Sequence, residues 1–160
     1  MSDADLLAGF MDDYFAECDE HVATSRRLLL ALDRSVKTGA ATAAILEDLF
    51  RAFHSIKGLS GMVELREAEM LAHQMESYLR ALRQHDVPAT DAGVTALIAG
   101  VDALEYTIAA RRDGAPPPPI DRVLEQLAGV LPDSERRKAG ASPPEAVTPS
   151  IASWKGMGAT

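Results

Sequence analysis

Ile45-Leu46-Glu47-Asp48-Leu49-Phe50-Arg51-Ala52-Phe53-His54-Ser55-Ile56-Lys57-Gly58-Leu59-Ser60-Gly61-Met62 places apolar residues at three- and four-residue intervals. Ile45, Leu46, Leu49, Phe50, Phe53 and Ile56 form one continuous stripe, which predicts an amphipathic helix from about Thr42 to about Met62. His54 stands beside that stripe rather than in it. A helix with one apolar face cannot bury that face alone, so the flanking segments determine what it packs against.

Upstream, Leu7, Phe10, Met11, Tyr14, Cys18, His21, Val22, Ser25, Leu28, Leu29 and Leu32 recur with the same spacing and predict a long amphipathic helix from Asp3 to Asp33 or a little beyond. His21 falls on its apolar side as a packed core-edge residue. Gly39 is suited to ending the helix, and Thr38 or Thr42 to capping the next. Downstream, a third helix from about Arg66 to Gln84 turns Leu71, Met75, Tyr78, Leu79 and Leu82 inward. Pro88 interrupts the pattern, and Thr90 or Asp91 can cap a fourth helix carrying Val94, Leu97, Ile98, Val101, Leu104 and Ile108. That helix stops near Arg111-Arg112-Asp113-Gly114. After Pro116 to Pro119, a short fifth helix from Ile120 to Leu131 offers Val123, Leu124, Leu127 and Val130. Short connections between one-faced helices predict an all-α fold: an up-down-up-down four-helix bundle with a short fifth helix, spanning residues 1–131. Residues 132–160 are rich in Pro, Ser, Ala and Gly and read as a flexible linker, with Trp154 as its one large side chain.

The composition agrees with helices. The chain is 47% hydrophobic and 25% charged, and only 5% of its residues are aromatic. Alanine and leucine are abundant while typical strand formers are scarce. A formal net charge of −8 argues against nucleic-acid binding, which needs clustered Lys and Arg. A single cysteine, Cys18, excludes an intramolecular disulfide and a cysteine-rich zinc site and fits a reducing cytoplasm. No run reaches the 18 or more apolar residues of a membrane span, so no membrane insertion is expected.

The chemistry concentrates on the second helix. His54, Lys57, Gly58 and Gly61 stand at i, i+3, i+4 and i+7 and share one helical face. Glycine inside a helix costs about 1 kcal/mol relative to alanine. Two of them on this face are expected to clear space around the imidazole, although Gly61 can equally mark close helix packing or the helix end. The third helix supplies a polar stripe of His73, Glu76, Arg80 and Arg83. If the two helices pack antiparallel, Glu76 or His73 can reach His54. A carboxylate accepting one ring N–H fixes the tautomer and makes the other nitrogen a better nucleophile. Lys57 is placed to balance the charge of a phosphoryl group on that nitrogen.

His54-Ser55-Ile56-Lys57-Gly58 followed by Leu59-Ser60-Gly61-Met62, and then Leu71-Ala72-His73-Gln74-Met75-Glu76, resembles the histidine phosphotransfer (HPt) domain at the N-terminus of CheA-type chemotaxis histidine kinases. The resemblance covers the five-helix region and not the tail. It implies that His54 is phosphorylated through Nε2, that Glu76 orients it, and that Lys57 and His73 support it. It also implies partners. An ATP-binding kinase domain, in cis or in trans, donates the phosphoryl group, and an aspartate of a response-regulator receiver domain accepts it. On this reading the chain binds no cofactor itself; ATP and Mg²⁺ belong to the kinase domain and Mg²⁺ to the receiver. Ala52, Gly58, Leu59, Gly61 and Met62 are the expected receiver contacts. The tail then leads to further kinase domains, and the site of action is the cytoplasm, within chemoreceptor clusters through the rest of the kinase.

Two other functions compete. A di-iron bundle needs Glu-x-x-His pairs, and the chain has none. A passive helical docking or dimerisation module fits the fold equally well and makes His54 incidental. No Gly-rich nucleotide-binding stretch or acidic Mg²⁺ cluster is visible, so no autonomous ATP-dependent activity is expected.

Overall fold

The computed structural model describes residues 2–136. Five helices follow in order: α1 (Asp3–Thr38), α2 (Ala43–Met62), α3 (Arg66–Arg83), α4 (Asp91–Arg112) and α5 (Asp121–Val130). No strand occurs among the described residues. Helices α1 to α4 close a ring in which each packs on the next and α4 returns to α1, while α5 lies against α3 and α4. Cross-helix pairs fix the directions. Tyr14 near the start of α1 bonds Ser60 near the end of α2, Glu47 meets Arg83 across α2 and α3, and Asp19 of α1 meets Arg112 at the end of α4. Neighbours in the ring are therefore antiparallel, and the chain is an up-down-up-down helical bundle.

Local chemistry sets the helix ends. Ser2 and Asp5 form a reciprocal capping box at the start of α1, and Gly39 closes that helix at φ +72°, a left-handed conformation that costs glycine little. Thr90 accepts a hydrogen bond from Gly93 N–H at 3.0 Å and caps α4. Thr42 precedes α2 but makes no side-chain cap. The connection from α2 to α3 is pinned from outside, because Arg111 of α4 donates to the carbonyls of Val63 and Glu64.

The core takes Tyr14, Cys18, Val22, Leu28, Leu29 and Leu32 from α1 and Leu46, Leu49, Phe53 and Ile56 from α2. All five apolar positions expected of α3 are buried in it. Two expectations for the stripes need correction. Leu7 and Phe10 are exposed, because α1 has 36 residues and α2 only 20, about 54 Å against about 30 Å. With Tyr14 already level with the last turn of α2, the first turns of α1 have nothing to pack on. Ile98 is also exposed; α4 instead presents Gly93, Ala96 and Gly100 inward, which brings its backbone close to α3. A Cβ on Gly93 would strike the Tyr78 hydroxyl, and one on Gly100 would strike the Met75 sulfur.

Helix α4 is long and apolar enough, by length and composition, to cross a membrane, which the count of consecutive apolar residues does not reveal. More than half of that stretch is buried against its neighbours in the bundle. The start of the expected 132–160 linker is a correction: residues 133–136 form a helical turn, held because Arg136 donates to the carbonyls of Ala128, Gly129 and Leu131. From residue 137 the expected linker, with Trp154, lies outside the described residues.

Candidate functional site

His54 projects from the middle of α2 with its side chain 64% exposed. Its Nδ1 lies 2.6 Å from Oε2 of Glu76 on α3. The Glu76 side chain is 1% exposed, and its other oxygen, Oε1, accepts hydrogen bonds from Lys57 Nζ at 2.8 Å and from Arg80 at 3.2 Å. A carboxylate this deeply placed is stable only when paired and hydrogen-bonded. Burial pushes its pKa up, but hydrogen bonds from Lys57 and His54, and their charge, outweigh burial and hold it below the ordinary value. The carboxylate is thus ionised at neutral pH. It accepts at Nδ1, so that nitrogen carries a proton, while Nε2 of the mostly exposed ring makes no hydrogen bond within the described residues.

The antiparallel approach of α2 and α3 therefore brings together His54, Lys57 and Glu76, three of the residues read from the sequence. Lys57 stands one turn after His54 and reaches the same carboxylate, as i, i+3 geometry requires. His73 stands apart: it is exposed and lines an open hollow of about 700 Å³ with Lys57, Gly61, Glu64, Arg66, Glu69 and Met70. It makes no hydrogen bond to His54 or Glu76.

The expected contact residues divide. Gly58 is exposed with open space where its side chain would stand, and Met62 is 65% exposed. Ala52 is a correction: it is buried at 5% exposure rather than displayed beside His54. Two positions before His54 it points about 200° around the helix, towards α1. Leu59 is half-buried and packs on the core. Gly61 shares the face of His54 but lies about 10 Å further along the axis. What its missing side chain admits is the Glu69 carboxylate, not the neighbourhood of the imidazole.

Sequence reading gave no role to Arg80 or Phe50. Arg80 lies at i+4 from Glu76, the spacing of a helical ion pair, and that signal was available. Phe50, expected in the buried stripe, is half-buried and stacks on His54. Among the described residues no group of three or more His, Cys, Asp or Glu side chains is poised to hold a metal ion.

His54 is thus an exposed histidine on a helical bundle, held by a buried carboxylate of the adjacent helix. The family model described as the Hpt domain matches residues 9–107. This chain belongs to the Hpt domain family. Relatives of this Hpt domain include the chemotaxis protein CheA of Rhizobium meliloti (strain 1021), 30% identical over 146 residues, covering 86% of this chain and 18% of the relative. The CheA proteins of Cereibacter sphaeroides and Bacillus subtilis (strain 168) are each 29% identical. The first alignment covers 88% of this chain and 20% of the relative, the second 66% and 15%. The chain thus spans a fifth or less of these relatives, and matches the Hpt domain of CheA. That likeness supports a role in chemotaxis phosphotransfer for this Hpt domain.

Proposed function

We propose that His54 accepts a phosphoryl group on Nε2 from an ATP-dependent histidine-kinase domain and passes it to an aspartate of a response-regulator receiver domain. The observation that carries this reading is the 2.6 Å hydrogen bond from His54 Nδ1 to the buried Glu76 carboxylate, with the opposite side of the ring exposed. In the first transfer the Nε2 lone pair attacks the γ-phosphorus, the bond from that phosphorus to the bridging oxygen breaks, and ADP leaves. The ring, still protonated at Nδ1, becomes positive. Glu76 is already in place to stabilise that charge, as the carboxylate partner of a catalytic histidine does. In the second transfer an aspartate oxygen attacks phosphorus, the N–P bond breaks and its electron pair returns to Nε2, leaving neutral imidazole.

Hydrogen bonds and charge from Lys57 and His54 keep Glu76 ionised, Arg80 adds a third hydrogen bond to it, and Lys57 also offers positive charge near the phosphoryl oxygens. His73, on the same side of the bundle, is a supporting group in the hollow next to Lys57. ATP and Mg²⁺ are supplied on the kinase domain, in cis or in trans, and Mg²⁺ on the receiver. Gly58 and Met62 are exposed contacts for the docked receiver. The likeness to CheA proteins supports a reading in which the chain acts in the cytoplasm, in chemoreceptor clusters through further kinase domains.

The test is incubation of the chain with a CheA-type kinase domain, Mg²⁺ and γ-labelled ATP. The expected product is acid-labile, base-stable label that disappears in His54→Gln and moves to a receiver domain on its addition. Equal labelling of wild type and His54→Gln overturns the assignment, and no labelling of either returns the chain to a passive docking module.

A further inference from the structure

Glu76 is not the only side chain that holds the imidazole. Phe50, one helical turn before His54, lies almost parallel to it, with ring centroids 6.1 Å apart and planes inclined by 8°. This is an offset stack, within the range where aromatic pairs attract. Phe50 is itself held. The guanidinium carbons of Arg83 and Arg80 lie 4.6 Å and 5.7 Å from its ring centroid, at cation–π distance. Arg83 is tied back to Glu47 at 2.6 Å, and Arg80 to Glu76 at 3.2 Å.

One hydrogen bond tolerates wide departures from linearity, so Glu76 alone lets a largely exposed ring rock about its Cβ–Cγ bond. Phosphoryl transfer needs the Nε2 lone pair in line with the bond that breaks, and misalignment there is costly. A flat surface parallel to the imidazole supplies the restraint that the hydrogen bond lacks. Core packing does not account for Phe50 in full, because Phe53 on the same helix is the fully buried phenylalanine while Phe50 remains half-exposed among arginines.

We propose that Phe50 is a positioning residue that sets the ring plane of His54, and that Arg83, anchored by Glu47, holds Phe50 in place. The proposal rests on the reading of His54 as phosphoryl acceptor. The test uses phosphoramidate, a small donor that needs no docking partner, on the full chain. Phe50→Leu keeps apolar bulk and removes the stack; its initial labelling rate is expected to fall about tenfold, while Phe50→Tyr stays within about twofold of wild type. Arg83→Gln, an exposed change, is expected to lower the rate about two- to threefold with an unchanged unfolding midpoint. In ¹H–¹⁵N spectra of the imidazole, Phe50→Leu shifts the carbon-bound ring protons through loss of the Phe50 ring current, and Phe50→Tyr does not.

A wild-type rate in folded Phe50→Leu overturns the proposal and leaves the His54 assignment intact. If Phe50→Leu does not fold, a wild-type rate in Arg83→Gln overturns it instead. Label in wild type that survives in His54→Gln defeats the underlying reading, a result separate from either.

Discussion

The carboxylate of Glu76 is almost completely buried, while the imidazole of His54 that it holds at 2.6 Å stands mostly in solvent. The negative charge is fixed inside the bundle and the reactive nitrogen is outside it. Charge developing on the ring is met by a dipole and charge that need no rearrangement, the arrangement that makes preorganised electrostatics effective.

Replacing Glu76 by Gln keeps the shape and removes the charge. Phosphoryl acceptance from a kinase domain is expected to fall about 10–100-fold, the range seen when an orienting carboxylate behind a functional histidine is lost. Stability should fall by about 1–3 kcal/mol, because Lys57 and Arg80 lose a charged acceptor but remain open enough to solvent to recover hydration. Initial labelling rates and urea unfolding check the two effects separately.

Acid should weaken the bundle through the same residue. The pKa of Glu76 in the folded state lies below its ordinary value of 4.5, so its contribution is present in full above that value. It is lost as the pH falls from about 4.5 through the lower folded value, where the native state must take up a proton it binds weakly. Urea unfolding at pH 7, 5, 4 and 3 is expected to show a steeper loss of stability for wild type than for Glu76→Gln below pH 4.5. Parallel curves would assign the acid sensitivity to other carboxylates.

How far the sequence could be read depends on what periodicity encodes. Helix spacing reports which way a side chain points, so the inward residues of α2 and α3 and the shared face of His54 and Lys57 were legible. It does not report where along its axis a helix runs out of neighbours, and Leu7 and Phe10 were therefore expected inside. Nor does it show that α4 approaches through glycines, since a glycine scores as a gap in an apolar stripe; Ile98 took the place that Gly93 and Gly100 occupy. At the site, antiparallel packing of α2 and α3 made both Glu76 and His73 candidates to reach His54, and only the family resemblance singled out Glu76. Phe50 was hidden because an aromatic on a stripe edge reads as core, and Ala52 was misplaced because nearness in sequence was taken for nearness on the surface.

The close approach of α4 to α3 makes a packing prediction. Alanine at Gly93 gains helix propensity of up to about 1 kcal/mol but drives a methyl into the Tyr78 hydroxyl, and overpacking of a filled core costs about 1–3 kcal/mol. The net effect expected for Gly93→Ala is destabilisation. Tyr78→Phe removes the nearest clashing atom but leaves the ring carbon that bore it at 2.7 Å, so the double variant should recover only part of the loss. Urea midpoints of the four proteins measure this coupling, and simple additivity would place the strain elsewhere.

Gly58 separates stability from function. It lies inside α2 one turn after His54, and a Cβ there meets nothing within 4 Å. Gly58→Ala should therefore stabilise the bundle by about 0.5–1 kcal/mol through helix propensity alone. If the glycine is kept for the approach of a large partner, the same methyl intrudes between the receiver and the phosphohistidine. Labelling by phosphoramidate is then expected to stay near wild type while transfer to a receiver slows about tenfold, the cost of a modest loss of alignment at the reacting atoms. A variant that is both more stable and equally fast with the receiver would show that this face of α2 is not where the receiver sits.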